Sequence, residues 1–217
     1  MTFSLNGPLV LAGAGKMGGA LLKGLLERGL NGSDVVIQEP SPPDEIKSLA
    51  AKHGLRIEPV IASLPKPAVL LAAVKPQVME QVFPPLARLA GPNTLTLSIA
   101  AGRSVATFEK YLPNGAAVVR AMPNTPAAIG RGITASFANA HVTPAQKKLT
   151  DDLLSAVGEV GWVDDEALMD AVTAVSGSGP AYVFLLAECL AGAGVDAGLD
   201  AELAKRLARE TISGAGE

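Results

Sequence analysis

Cysteine and histidine are scarce in this chain of 217 residues: Cys189 is the only cysteine, and His53 and His141 are the only histidines. A lone cysteine excludes an intramolecular disulfide and leaves no zinc-type spacing, so no metal site is expected. A reducing, cytoplasmic compartment follows as the expectation. Charge of one sign is also lacking, with a net charge of −3 and 18% charged residues. Without a basic excess, nucleic acid and an anionic membrane are poor partners, and a small molecule is the expected one. Long hydrophobic runs are missing too. The longest, Ala181 to Leu190, is interrupted by Glu188 and is too short to span a bilayer. The opening "MTFSLNGPLVLAGAGKMG" is broken by glycines and Lys16, unlike a signal peptide. A soluble protein is expected, with no internal repeat and no low-complexity tract.

What the chain does contain is apolar runs of strand length alternating with helical patterns. Pro8 to Ala12 reads as a buried strand, and Met17, Leu21, Leu22, Leu25 and Leu26 fall at helical spacing before a stop at Gly29. Asp34 to Gln38 is the next strand, followed by a helix from Pro43 to His53 and a strand at Ala68 to Val74. A helix after Lys75 and strands at Leu95 to Ile99, Ala116 to Ala121 and Ile133 to Phe137 continue the series. Continuous apolar strands between helices predict an α/β, doubly wound, mainly parallel sheet of Rossmann-like type. Strand signals fade after about Val163, so the expected division is a doubly wound domain at 1–163 and an all-helical domain at 164–217. A chain of this size can bury about 70% of its unfolded surface. In the helical part, Leu203, Leu207 and Ile212 form one stripe. The segment Ala181 to Ala191 is apolar nearly all round, so it needs cover that a second subunit would supply.

Chemistry is concentrated at the strand ends. "GAGKMG", from Gly13 through Ala14, Gly15, Lys16 and Met17 to Gly18, fits G-x-G-x-x-G between a strand and a helix. Gly13 permits a tight turn, Gly15 lets a pyrophosphate approach the backbone, and Gly18 lets helix and strand pack closely. The helix amino terminus adds free N–H groups and a positive dipole end. Glu39 closes the second strand, where an acid holds the ribose of NAD(H), while Ser41 offers a hydroxyl and backbone N–H groups to the phosphate of NADP(H). Each reads equally as an ordinary turn residue, so the preference stays open here.

Further along, Ala73, Val74 and Lys75 of "AVKPQ" point beyond a strand end, with a solvated lysine as the alternative. Ala100 in "SIAAG" leaves room for a ring, or simply packs well. In "RAMPNTPAA", prolines flank Asn124 and Thr125 in a stiff turn, which reads as a site rim or as a structural Asx-turn. The histidines lie far from these ends. Trp162 reads as core or interface, and Cys189 as a small core residue. Asp164, Asp165 and Glu166 look like a solvated helix start. "DAVTAVSGSGPAYVF" reads as a glycine-rich junction in which Pro180 starts a buried helix.

Taken together, "GAGKMGGALLKGLL", "AVKPQ", "SIAAG", "RAMPNTPA" and "EALMDAVTAVSGSGPAYVF", in this order over essentially the whole chain, resemble the pyrroline-5-carboxylate reductase family of proline biosynthesis. The resemblance implies hydride transfer from NAD(P)H to the cyclic imine of 1-pyrroline-5-carboxylate, giving L-proline. It implies that Gly13 to Gly18 hold the pyrophosphate, Ser41 the adenosine end, and Ala73 to Lys75 with Ala100 the ribose and nicotinamide side. Asn124 would form the rim, and Glu166 would lie near the nicotinamide. It implies a dimer or an assembly of dimers. It assigns no catalytic side chain, since hydride chemistry belongs to the cofactor and the protein's task is alignment. Family members usually continue through further helices and a Ser-Pro-Gly-Gly-Thr loop, so this chain is expected to lack that C-terminal end. The competing readings are a related Rossmann reductase of a small hydroxy acid or imine, and a non-catalytic pyridine-nucleotide-binding module.

Overall fold

Leu9–Ala12 forms the first strand, β1, with all four residues buried. Alternate side chains of a strand point to opposite faces. Leu9 and Leu11 accordingly enter one core while Val10 and Ala12 enter the other. A strand buried on both faces cannot alternate with polar residues, which is why it reads as an uninterrupted apolar run. Each fully buried leucine of this kind contributes about 1.5–3 kcal/mol.

The computed structural model describes residues 5–216. After β1 come α1 (Lys16–Glu27), β2 (Val35–Gln38), α2 (Asp44–His53), β3 (Arg56–Glu58), β4 (Val69–Ala72), α3 (Met79–Ala87) and β5 (Leu95–Ser98). They are followed by α4 (Val105–Glu109), β6 (Ala117–Met122), β7 (Gly132–Ala138), α5 (Pro144–Leu154) and β8 (Gly158–Trp162). The eight strands make one sheet in the order β3-β2-β1-β4-β5-β6-β7-β8, parallel except where β6 meets β7. Helices α1, α2 and α5 supply Leu22, Ile46 and Leu153 to one core. Helices α3 and α4 supply Phe83 and Phe108 to the other, with the two rings edge to face at 4.9 Å. This is the doubly wound, mainly parallel sheet expected from the sequence.

Beyond β8 the chain is helical. A turn at Glu166–Leu168 leads into α6 (Met169–Val172), a π-helical turn at Thr173–Gly177, α7 (Gly179–Asp196) and α8 (Ala201–Ala215). The Ser-Gly-Ser-Gly-Pro string is therefore helical, not a loop. Pro180, near the start of α7, has no N–H, and the π turn carries the chain across this gap through the Ser178 N–H donating to the Thr173 carbonyl at 2.8 Å. At Gly177 an added Cβ would stand 2.6 Å from Met122 Cε, so the turn packs directly on the Met122 side chain. Gly179 has nothing within 4 Å of such an atom.

The resulting helical segment, Glu166–Asp196, runs 31 residues and contains an 18-residue stretch with a mean hydropathy of 1.3, long and apolar enough by those measures to cross a membrane. The sequence reading underestimated it by stopping at the glycines. No residue of α7 is buried within the chain, and Phe184 is 66% exposed. Cys189 is exposed as well, so the expected core position is corrected: it stands on a helix with no buried residue among the described residues. On α8 the residues buried against the rest of the chain are Ala204 and Ala208, while Leu203 and Leu207 face outward. The two helices approach through small residues, a Cβ at Gly194 standing 3.1 Å from that of Ala204.

Candidate functional site: a dinucleotide cradle at the strand ends

Strand register assembles the site. Gln38, Ala12, Ala72, Ser98 and Arg120 are paired in one row across β2, β1, β4, β5 and β6. All five strands run the same way, so the loops carrying Glu39, Gly13, Ala73 and Ala100 leave from one edge of the sheet. Strand order reverses between β1 and β4, and ligands of such sheets bind in the crevice at this switch point.

The three glycines of the first loop have three separate causes. Gly13 has φ +88°, and a Cβ there would lie 2.9 Å from the Ala73 carbonyl oxygen and from Val74 Cγ1. Gly18 carries the tightest constraint, since its Cβ would lie 2.4 Å from the Gly13 carbonyl oxygen. Gly15 differs from both: its φ of −70° is open to any residue and nothing lies within 4 Å of an added Cβ. Neither backbone strain nor internal packing demands glycine at that place, and the empty space above it fits the approach of a ligand backbone. Gly15 is also the N-cap of α1 and has no side chain to cap it, so the first N–H groups of the helix are left for an outside acceptor. A pyrophosphate suits that position by charge and by hydrogen bonding.

Next to this loop, Glu39 joins two segments. Its Oε2 accepts from the Ala14 N–H at 3.1 Å and its Oε1 from the Ser41 N–H at 3.2 Å. Ser41 is exposed in the following turn. In the first turn of α2, the Lys47 ammonium donates to Asp44 at 2.8 Å and, with its charge, holds that carboxyl below the usual carboxylate range.

Across the switch point, the Ala73 N–H donates to the Ala12 carbonyl at 2.8 Å, and Lys75 is exposed beyond it. Arg103 bridges the loops after β4 and β5, its Nη2 donating to the Pro76 carbonyl at 2.6 Å. Ala100 is buried, and its N–H donates to Ser98 Oγ at 3.2 Å. Asn124 precedes a short turn at Thr125–Ile129, and its Oδ1 accepts from the Ile133 N–H at 3.0 Å. That bond makes the amide at least a structural link to β7.

Glu166 is held more firmly than a solvated helix start. Its Oε1 accepts from Arg120 Nη1 at 3.0 Å and from the Val105 N–H, the first of α4, at 2.8 Å. The Arg120 side chain is only 10% exposed. Sequence reasoning gave Arg120 and Arg103 no role. The available signal was a charge inside the apolar strand "AVVRAM", since a buried guanidinium requires a carboxylate partner. His141 lies at the opposite edge of the sheet, in a cleft it shares with Lys66, Thr94 and Lys148. Among the described residues no group of three or more His, Cys, Asp or Glu is placed to hold a metal.

Comparison with known proteins agrees with this geometry. Residues 9–102 match the family described as NADP oxidoreductase, coenzyme F420-dependent, and residues 166–217 match that described as pyrroline-5-carboxylate reductase dimerisation. The pyrroline-5-carboxylate reductase of Pseudomonas aeruginosa is 40% identical over 210 residues, which cover 96% of this chain and 77% of that one. This chain belongs to the pyrroline-5-carboxylate reductase family. The Synechocystis reductase is 43% identical over 96% of this chain and 78% of its own. Among solved reductases, that of Coxiella burnetii superposes with a TM-score of 0.87 at 32% identity, covering 97% of this chain and 78% of that one. The Plasmodium falciparum enzyme, with NADP bound, gives 0.82 at 30% identity over 98% and 78%. The dimerisation match falls on the segment whose apolar helices lack cover, so the family relation and the exposed surface point to the same subunit contact.

The glycines provide a first test. Gly15→Ala is expected to leave the melting temperature within about 1 °C, since no clash and no backbone strain arises. It should weaken dinucleotide binding by about tenfold or more through the methyl group now in the pyrophosphate path. Thermal melting beside calorimetric titration checks both halves. Unchanged affinity would remove Gly15 from the site.

Proposed function

We propose that this chain reduces 1-pyrroline-5-carboxylate to L-proline with a hydride from NAD(P)H. The observation that carries this reading is the open cradle over Gly15 at the switch point, in a chain 40% identical to a pyrroline-5-carboxylate reductase. Gly13, Ala14, Gly15, Lys16, Met17 and Gly18 would receive the pyrophosphate, with Glu39 and Ser41 at the adenosine end. Ala73, Val74, Lys75 and Ala100 would line the ribose and nicotinamide side, with Asn124 at the rim. Glu166, fixed by Arg120, would stand on the nicotinamide flank.

Bound NAD(P)H supplies the hydride that reduces the imine carbon. The chain's own contribution is alignment and exclusion of water, worth several powers of ten in rate when the reacting atoms are held at contact distance. Small residues such as Ala73 and Ala100 at the strand ends leave space for a flat ring.

Residues 1–163 would form the dinucleotide-binding domain and 164–217 the dimerisation and substrate domain of a cytoplasmic enzyme, working as a dimer or an assembly of dimers. The exposed apolar side chains of α7 and α8 support the subunit contact. Phe184→Glu is accordingly expected to shift the protein to monomer or aggregate, read by light scattering after size exclusion. A dimer of unchanged mass would place the interface elsewhere.

The activity is tested by following the loss of nicotinamide absorbance with pyrroline-5-carboxylate and identifying L-proline as product. Turnover of keto acids or hydroxy acids with none of the imine would sink the reading.

A further inference from the structure

The turn after β2 brings Glu39 beside the glycine loop. The Glu39 N–H donates to the Glu58 carbonyl at 3.0 Å, so its backbone extends the β2–β3 pairing. Its carboxylate is clamped by the Ala14 and Ser41 N–H groups at 3.1 and 3.2 Å. Pro40, Pro42 and Pro43 restrict the turn that follows. A carboxylate oxygen accepts more than one hydrogen bond, so each oxygen keeps capacity for a ribose hydroxyl. An acid at the end of the second strand is the arrangement that binds the free 2′-hydroxyl of NAD(H), whereas a 2′-phosphate is normally met by an arginine.

The neighbouring charges reinforce this choice. Asp44 and Glu45 occupy the first turn of α2, so carboxylates already meet its positive dipole end. The ammonium of Lys47 is taken up by Asp44. Arg56 lies at the far end of β3, opposite Val36, and its guanidinium is paired with Glu58. A 2′-phosphate, carrying close to two negative charges, would enter a turn that already carries the Glu39 carboxylate. Like charges brought together across an interface are strongly unfavourable.

We infer that this chain prefers NADH over NADPH and that Glu39 is the residue that sets the preference. This rests on the dinucleotide reading above and narrows it. The fold does not decide the matter, since the Plasmodium falciparum relative has NADP bound on the same architecture.

The test is equilibrium binding without imine, titrating the full chain with NADH and with NADPH by calorimetry. Wild type is expected to bind NADH at least about tenfold more tightly than NADPH. Glu39→Gln keeps an oxygen acceptor for the Ala14 N–H but removes the charge. Its NADH-to-NADPH ratio should fall toward one, mainly through tighter NADPH binding. The ratio on each protein is independent of how much of the variant folds. Wild type binding NADPH as tightly as NADH, or a Glu39→Gln ratio equal to wild type, overturns the inference while leaving the reductase reading intact. Binding of neither cofactor overturns both.

Discussion

Alanine at Gly18 is expected to lower the melting temperature of the ligand-free chain by about 4–12 °C, from about 2–3 kcal/mol of overpacking. The built Cβ lies 2.4 Å from the Gly13 carbonyl oxygen and 3.0 Å from Ala73 Cβ. Backbone cannot rotate away as a long side chain can, so α1 or the loop must shift. Because the N–H groups of α1 are proposed to receive the pyrophosphate, that shift should also weaken NAD(P)H binding by about 100-fold, the scale of a 1 Å misplacement. Differential scanning fluorimetry and calorimetric titration read the two effects. A Gly18→Ala chain that melts like wild type would show the loop to be more compliant than its packing implies. The contrast with Gly15→Ala is informative: Gly18 is required by packing, whereas Gly15 is proposed to be required by the ligand.

Removing the Glu166 carboxylate should cost more. In Glu166→Ala the buried Arg120 guanidinium loses its counter-charge, and the Val105 N–H at the start of α4 loses its acceptor. Breaking such a pair typically costs about 3–5 kcal/mol, because an uncompensated charge is left inside. For a chain of this length that corresponds to a fall of about 6–20 °C in melting temperature. The double change Arg120→Met with Glu166→Leu should recover most of the loss, since replacing both partners by apolar groups is often neutral. If Glu166 also serves the nicotinamide side, the double variant regains stability without regaining turnover. A double variant as active as wild type would reduce Glu166 to a structural tie. The bond joins the first turn of the helical segment to the sheet, so subunit mass should be measured on the same samples.

The parts of this molecule that were legible in the sequence are those whose cause is local. β1, α1 and β2 announce themselves because burial on both faces demands uninterrupted apolar residues, and burial of one helix face demands a period near 3.6. The elements missed are weakly amphipathic or at edges. β3 is three residues long, and β8, "GEVGW", has two glycines, a glutamate and no fully buried residue. α5 carries Lys147, Lys148, Asp151 and Asp152 around few apolar positions, yet its capping box was open to inspection, with Thr143 and Gln146 exchanging hydrogen bonds. The π turn was hidden because Ser-Gly-Ser-Gly-Pro has the composition of a loop, while the contact between Gly177 and Met122 is long-range.

The same division runs through the site. The sequence by itself determined the glycine loop, since a positive φ at Gly13 and a helix start after Gly15 are properties of neighbouring residues. It also determined the supply of apolar surface on α7, no residue of which is buried among the described residues. Only the tertiary structure decided that Glu39 clamps Ala14, 25 residues away, and that Glu166 reaches Arg120, 46 residues away. Those pairings depend on strand order and register, which arise when separate hydrophobic faces are buried together. No short stretch of chain encodes such a distance, because it belongs to the packed sheet rather than to any one of its strands.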